Sequence, residues 1–279
     1  MIGVVTKKNA DKFLVENNWL TGRGNLKTEG VFVGDVVEYD ENVILKVLPR
    51  KNLLIRPPMA NLDKMFIVIA PSPKPDFLLV DKLLIYCEIN DIQPIICVNK
   101  CDLIDKNLEN LIKTTYSSVA KVIFVSALQD NIESLKQEII GTCAFAGQSA
   151  VGKSSLINSL LGGQVEVVGE LAKKTERGKQ TTRLVTLYKF SDGFIADTAG
   201  FSKLDERLLK IEERKLTDYY PDFKKYIEQC PFVSCTHIKE NECVLRQAVK
   251  SGKVSQMRYD NYQKIYQALK EIKHYEKKN

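Results

Sequence analysis

The sequence predicts three parts: a small β-barrel, an α/β domain on a mostly parallel sheet, and a C-terminal helical module with a metal-ligand cluster. Three observations predict it. Residues 1–56 hold five short β-rich segments. Residues from about 61 to 210 alternate apolar strands with amphipathic helices. Three cysteines and a histidine crowd into residues 230–243, ahead of one long helical repeat. A chain of 279 residues has room for more than one domain at roughly 100–200 residues each. With 44% hydrophobic and 27% charged residues its usage is globular, which excludes disordered, collagen-like and coiled-coil readings.

In the first part the segments are Gly3–Thr6, Lys12–Glu16, Val31–Val33, Val36–Tyr39 and Val43–Val47, separated by turns such as Asn17-Asn18 and Gly22-Arg23-Gly24. Arg56-Pro57-Pro58 stiffens the chain and removes two backbone donors, so a boundary is expected there, with the barrel over 1–58. Trp19 and Phe13 read as core residues ahead of surface stacking groups.

In the second part, 59–210, Met65–Ala70 reads as a buried strand and Phe77–Ile89 as a helix. Pro94–Val98 and Lys121–Val125 are strands, and Ile132–Ile140 a helix. Cys143–Ala146 is a strand, and a helix runs from Gly152 to Leu161. Leu184–Phe190 and Phe194–Ala196 are strands again. This alternation means a parallel sheet covered on both faces. In the third part, 211–279, Tyr262, Ile265, Tyr266, Leu269 and Ile272 repeat at helical spacing, with Ser255 as N-cap.

The longest clean apolar run, Met65–Ala70, is far short of the ~20 residues a membrane span needs. The N-terminus lacks an apolar core of signal-peptide length. A cytoplasmic protein with no membrane partner is therefore expected. The formal charge of +6 permits a polyanionic partner without demanding one. There are seven cysteines, an odd number with no secretion signal, which argues against a disulfide framework. Cys87, Cys97, Cys101 and Cys143 stand singly and read as small buried hydrophobes.

Gly147-Gln148-Ser149-Ala150-Val151-Gly152-Lys153-Ser154 fits G-x-x-x-x-G-K-[ST] between a strand and a helix. Such a loop turns successive N–H groups onto phosphate oxygens, and its glycines permit the close approach. Lys153 is expected to reach the β/γ-phosphates and Ser154 to ligate Mg²⁺, with Ser155 next in the helix. Asn99-Lys100-Cys101-Asp102 follows an apolar strand, where ligands bind in such sheets. The Asp102 carboxylate accepts from N1–H and the 2-amino group of guanine, a donor pair adenine lacks. Asn99 braces the loop and the Lys100 stem covers the ring. Ser126-Ala127 follows the next strand, with an Ala127 N–H suited to guanine O6. Asp197-Thr198-Ala199-Gly200 follows Phe194–Ala196: Asp197 suits water-mediated Mg²⁺ and the Gly200 N–H suits the γ-phosphate. Thr182, ahead of Thr181, is expected on Mg²⁺.

The order of these motifs is rotated. In ordinary GTPases the phosphate loop comes first and N-K-x-D late; here 99–102 and 126–127 precede 147–154, which precedes Thr182 and Asp197–Gly200. A rotated order on one sheet means circular permutation. Cys230-x4-Cys235-x-His237-x5-Cys243 offers Cys₃His, a closed structural zinc set.

Barrel, rotated GTPase and cysteine cluster together resemble the circularly permuted, ribosome small-subunit-dependent GTPase A family over essentially the whole chain. The resemblance also rests on Val33-Gly-Asp-Val36, Gly147–Asn158 and Ser255-x-x-Arg258-Tyr259-x-x-Tyr262. It implies that the barrel is an OB-fold. It implies GTP hydrolysis stimulated by the small ribosomal subunit during its late maturation, and contact with its rRNA. Three residues depart from the family pattern. Ala150 and Ala199 stand where Gly and Pro are usual. Gln180 stands where a His proposed to position the attacking water is usual; an amide can orient water too. The flanking parts carry the excess charge an RNA backbone attracts, with 14 Lys+Arg against 10 Asp+Glu in 211–279. A monomer is expected. The competing readings are a GTP-gated RNA-binding adapter with incidental hydrolysis, and a metabolic phosphotransferase, which no acceptor site supports.

Overall fold

The structure, a computed structural model, describes residues 1–24, 26, 30–129, 131–163, 185–197, 201, 204–232 and 234–276. The chain opens with β1 (Ile2–Asn9), β2 (Lys12–Val15), β3 (Asn18–Gly22), β4 (Val36–Asp40) and β5 (Val43–Val47). They are hydrogen-bonded in the order β1-β2-β3-β5-β4, and β4 returns to β1, so the barrel is closed. Only β3–β5 is parallel. Closure leaves no open edge. Inside lie Val5, Phe13, Val15, Leu20, Val37, Tyr39 and Ile44.

Three expectations fail in this part. Val31–Val33 is no strand; Val33 makes a single bridge to Met59. The fifth strand is β3, which starts at the second residue of the expected Asn17-Asn18 turn. Trp19 is 44% exposed, because strand alternation turns Leu20 inward and Trp19 outward. Phe13 is in the core as expected.

The Val33–Val36 motif forms the joint below the barrel. Gly34 has φ +91°, and a Cβ there would sit 2.0 Å from the Ala60 carbonyl oxygen. Beside it the buried Asp35 accepts from Arg50 Nε at 2.7 Å, Arg50 Nη2 at 2.9 Å and the Phe32 N–H at 2.8 Å. Arg56-Pro57 is the turn of a hairpin formed by β6 (Leu53–Ile55) and β7 (Pro58–Ala60).

The second sheet region comprises β8 (Lys64–Ile69), β9 (Gln93–Val98), β10 (Lys121–Phe124), β11 (Thr142–Ala146), β12 (Thr186–Phe190) and β13 (Gly193–Asp197). The order is β10-β9-β8-β11-β13-β12, parallel except for β12–β13. β12 meets β1 through the pair Lys7–Thr186, so the sheet runs on into the barrel wall. β8 is buried throughout, as a strand covered on both faces must be. Its alternate residues part company. Met65, Ile67 and Ile69 join the core under the helix Phe77–Ile89; Phe66, Val68 and Ala70 join the core under the helix Lys153–Leu160.

A helix at Lys106–Tyr116 has no counterpart in the sequence reading. Conversely, the helix expected over Ile132–Ile140 spans only Glu133–Lys136. Lys64 Nζ donates to the Glu138 carbonyl at 3.0 Å, and Gly141 (φ +71°) turns the chain into β11. The C-terminal part has short helices at Lys224–Ile227 and Val244–Lys250, and the long helix Gln256–Glu276. Tyr262, Ile265 and Leu269 are buried on the predicted face. The long helix packs on Phe77–Ile89, which is therefore covered from both sides and buries eight of its residues, Asp81 among them. No described helix is long and apolar enough to cross a membrane.

Candidate functional site

The loop after β11 requires its two glycines. Gly147 has φ +128° and a Cβ there would lie 2.2 Å from the Val68 carbonyl oxygen; Gly152 has φ +93° and a Cβ would lie 2.3 Å from Asn99 Nδ2. Gly152 caps the helix Lys153–Leu160, anchored by buried Leu156, Ile157 and Leu160. Lys153 Nζ donates to the carbonyls of Gly147 at 2.9 Å and Gln148 at 2.7 Å. The ammonium thus lies over the mouth of its own loop, next to Ser154 at the helix start. Ala150 adopts φ +65°, a left-handed conformation that L-residues disfavour. This is the position where the resembled family carries glycine.

The loop after β9 grips the loop after β11. Asn99 is 2% exposed; its Nδ2 donates to the Val151 carbonyl at 2.9 Å, and its Oδ1 accepts the Ala127 N–H at 3.2 Å. That N–H, expected to face guanine O6, thus has Asn99 as a partner. Lys100, at φ +56°, donates from Nζ to the Ala150 carbonyl at 3.0 Å and the Ser72 carbonyl at 2.7 Å. Asp102 sits exposed in the turn Cys101–Leu103, and its Oδ1 accepts from Ser126 Oγ at 2.6 Å. Ser126 in turn takes the Gln129 N–H at 3.3 Å. The three loops therefore meet at the carboxyl ends of the parallel strands β10, β9 and β11, with β8 between the last two, where such sheets bind ligands. Cys101 is partly exposed, while Cys87, Cys97 and Cys143 are buried as expected.

Asp197 ends β13, the neighbour of β11, and so stands at the edge that carries the 147–154 loop. Phe201 returns to that loop: its carbonyl accepts the Gly147 N–H at 3.1 Å, while its ring is buried edge-on to Tyr86. Gln180, Thr181, Thr182 and Gly200 lie outside the described residues.

Cys230, Cys235, His237 and Cys243 bring their ligand atoms within 4.8 Å of one another. A tetrahedral zinc with ~2.3 Å bonds to sulfur and ~2.05 Å to nitrogen sets sulfurs about 3.8 Å apart and sulfur from nitrogen about 3.6 Å. The Sγ atoms of Cys230 and Cys243 are 3.8 Å apart, and His237 Nδ1 lies 3.5 Å from the first and 3.3 Å from the second. The four donors thus fit zinc in chemistry, and Cys230, His237 and Cys243 fit it in spacing. Burial lowers the His237 pKa, favouring the neutral imidazole that ligates a metal. Glu240 staples the loop by accepting from the Thr236, Ile238 and Lys239 N–H groups. Burial works to raise its pKa, but these bonds prevail and hold it at about 2.

The long helix holds this loop from below: Tyr259 Oη donates to the His237 carbonyl at 2.6 Å and Tyr262 Oη to the Thr236 carbonyl at 2.7 Å. Between them and the sheet lies a buried ionic knot that the sequence reading missed. Arg258 donates from Nη1 to Asp81 at 2.5 Å, and from Nε and Nη2 to Asp222 at 2.8 Å each. Asn261 Nδ2 donates to Asp81 Oδ2 at 2.6 Å. The guanidinium stacks near Tyr220 at 4.9 Å and Tyr116 at 5.6 Å. Desolvation raises the Asp81 pKa to about 6 despite the Arg258 charge. The advance signals were Asp81, a carboxylate on a helix whose other charged residues are Lys82 and Glu88, and Arg258, which the quoted motif names without a partner. The quoted Ser255–Tyr262 motif is now accounted for: one cap, one ion-pair anchor and two clasps on the cysteine loop.

Comparison with known proteins agrees. The sequence profile of the RsgA GTPase family matches residues 47–207. A protein of Ruminiclostridium cellulolyticum called "Small ribosomal subunit biogenesis GTPase RsgA" is 40% identical over 238 residues, 84% of this chain and 77% of that relative. A Bacillus subtilis protein of the same name is 37% identical, over 90% of this chain and 89% of its own. Among solved structures, YjeQ from Thermotoga maritima superposes with a TM-score of 0.79 at 31% identity, covering 96% of this chain and 98% of that one. YloQ, titled a circularly permuted GTPase, gives 0.78 at 33% identity, with coverage of 97% and 95%. The chain belongs to the RsgA GTPase family and is a circularly permuted GTPase with a barrel before the nucleotide domain and a helical cysteine-cluster module after it.

Proposed function

We propose that this GTPase binds GTP across the three loops, hydrolyses it, and does so on the small ribosomal subunit during late maturation. The observation that carries the nucleotide assignment is the double grip of Asn99 and Lys100 on the Val151 and Ala150 carbonyls, which fixes a base loop and a phosphate loop at one spacing. The subunit as partner is supported by the names of the relatives.

In this reading Asp102 takes N1–H and the 2-amino group of guanine, with Asn99, Lys100, Cys101, Ser126 and Ala127 around the base. Residues Gly147–Ser155 cradle the phosphates, and Gly200 caps the γ-phosphate. Lys153 turns from its own loop carbonyls to the β/γ-phosphates, a donor already aimed at the loop mouth. Mg²⁺, held by Ser154, Thr182 and Asp197, neutralises phosphate charge when bound. Gln180 orients the attacking water through its amide. Cys230, Cys235, His237 and Cys243 hold one structural Zn²⁺, and the barrel over 1–58 and the module over 211–279 flank the nucleotide domain over 59–210 and touch rRNA. The exposed Trp19 supplies the barrel with a stacking face. The protein acts as a monomer in the cytoplasm.

The test is GTP turnover at fixed salt with no addition, with purified small subunits and with purified large subunits. Stimulation by small subunits alone is expected. Nucleotide-dependent binding without stimulation would instead favour the adapter, in which occupancy is the signal and hydrolysis incidental.

A further inference from the structure

Residues 71–76, Pro-Ser-Pro-Lys-Pro-Asp, link β8 to the helix Phe77–Ile89 and carry no recognised motif. Prolines at 71, 73 and 75 remove three N–H donors, leaving few backbone groups to engage. Three of those that remain reach the nucleotide loops. The Ser72 carbonyl accepts from Lys100 Nζ at 2.7 Å. The Lys74 carbonyl accepts from Gln148 Nε2 at 3.0 Å, and the Asp76 N–H donates to Gln148 Oε1 at 2.7 Å. The Gln148 amide is thus used at both ends by one strap, so the side chain points to the strap and away from the inner face of its loop.

The strap has a firm anchor. Asp76 caps the following helix by accepting the Leu79 N–H at 3.0 Å, and that helix is covered by the sheet on one side and by the Arg258-bearing helix on the other. What it holds needs holding. Two residues beyond Gln148 stands Ala150 at φ +65°, a conformation an L-residue leaves readily when unrestrained. Lys100 already fastens the Ala150 carbonyl, and Asn99 the next one.

We infer that Gln148 is a positioning residue for the nucleotide: its amide latches the phosphate loop to the 71–76 strap and fixes the loop in its binding shape. The inference rests on the guanine-nucleotide reading of this site. A latch on loop shape acts alike on diphosphate and triphosphate, because both bind the same backbone N–H groups.

The test uses the full chain with Gln148→Met, which keeps length and loses both hydrogen bonds, alone and combined with Ala150→Gly. Binding of GDP and of a non-hydrolysable GTP analogue is measured by calorimetry, with steady-state turnover and thermal unfolding alongside. Gln148→Met should weaken both nucleotides about three- to tenfold, as loss of one or two exposed hydrogen bonds implies. KM should rise by the same factor with kcat and the melting temperature unchanged. Ala150→Gly should recover most of the loss, since glycine adopts the left-handed conformation without the penalty of a Cβ. Unchanged affinity in Gln148→Met, a loss confined to the triphosphate, a fall in kcat, or no recovery with Ala150→Gly would each overturn the inference. Wild-type protein that binds neither nucleotide would overturn the underlying reading instead.

Discussion

The loops after β9 and β11 and the joint beneath the C-terminal helix are both tied by side chains but, the buried Asn99 apart, at opposite depths. In the loops, Lys100 and Gln148 reach backbone carbonyls and N–H groups through exposed bonds. In the joint, the Arg258 side chain is 2% exposed and that of Asp81 not at all, and charge meets charge. Exposed bonds to backbone are individually modest and hold loops that must admit a ligand. A buried ion pair is costly to break, because each partner left behind has no water. The difference implies that damage to the loops should appear in affinity, and damage to the joint in stability.

The largest effect should come from Arg258→Ala, which strands Asp81 and Asp222. A loss of about 3–5 kcal/mol is expected in denaturant unfolding. Should the variant still fold, its GDP affinity should stay within a factor of a few of the wild type.

Gly152→Ala is the converse. Its Cβ would collide with Asn99 Nδ2 and part the base loop from the phosphate loop. Strain of about 1–2 kcal/mol together with the lost Asn99 bond predicts nucleotide binding weaker by roughly 30-fold or more by calorimetry. The melting temperature should move far less than for Arg258→Ala.

A smaller effect belongs to Tyr262→Phe, which leaves the Thr236 carbonyl without its clasp. About 1 kcal/mol of stability should be lost, and protein loaded with the proposed zinc should release it faster to a chelator.

The finest test is a pH dependence. Burial raises the Asp81 pKa from 3.8 to about 6, so the folded state holds a proton there that the unfolded state has released. The stability this proton contributes is full below pH 3.8 and is lost as pH rises through about 6. Asp81→Asn cannot titrate. The stability of wild type relative to this variant should therefore fall between pH 4 and 6 and then level off. A difference that is flat across this range would remove Asp81 as a buried titrating group.

Legibility in the sequence follows the same division. That the 147–154 loop, the Asn99–Asp102 turn and the cysteine cluster each form a compact unit was legible because each is defined by spacing within a few residues. The rotated order of motifs disclosed the permutation for the same reason. Asp81 and Arg258 are 177 residues apart, and no local pattern joins them. Nor did any local pattern mark the 71–76 strap, which works through backbone groups rather than residue types. Trp19 misled because a large aromatic in a strand reads as core, whereas the register of β3 against β2 sets Leu20 inside. The helix Lys106–Tyr116 went unread although its Asp105 cap accepts the Leu108 N–H, because it buries only Ile112, Thr115 and Tyr116.

The central claim is that the three loops form one guanine site, with Asp102 reading the base. Affinities of GDP and xanthosine diphosphate for wild type and for Asp102→Asn test it most directly. Asparagine offers one acceptor and one donor, which suits the N1–H and 2-oxo edge of xanthine in place of the paired donors of guanine. The wild type should prefer GDP by at least about 100-fold, and the variant should reverse that order. A wild type that does not discriminate, or a variant that still prefers GDP, would contradict the account.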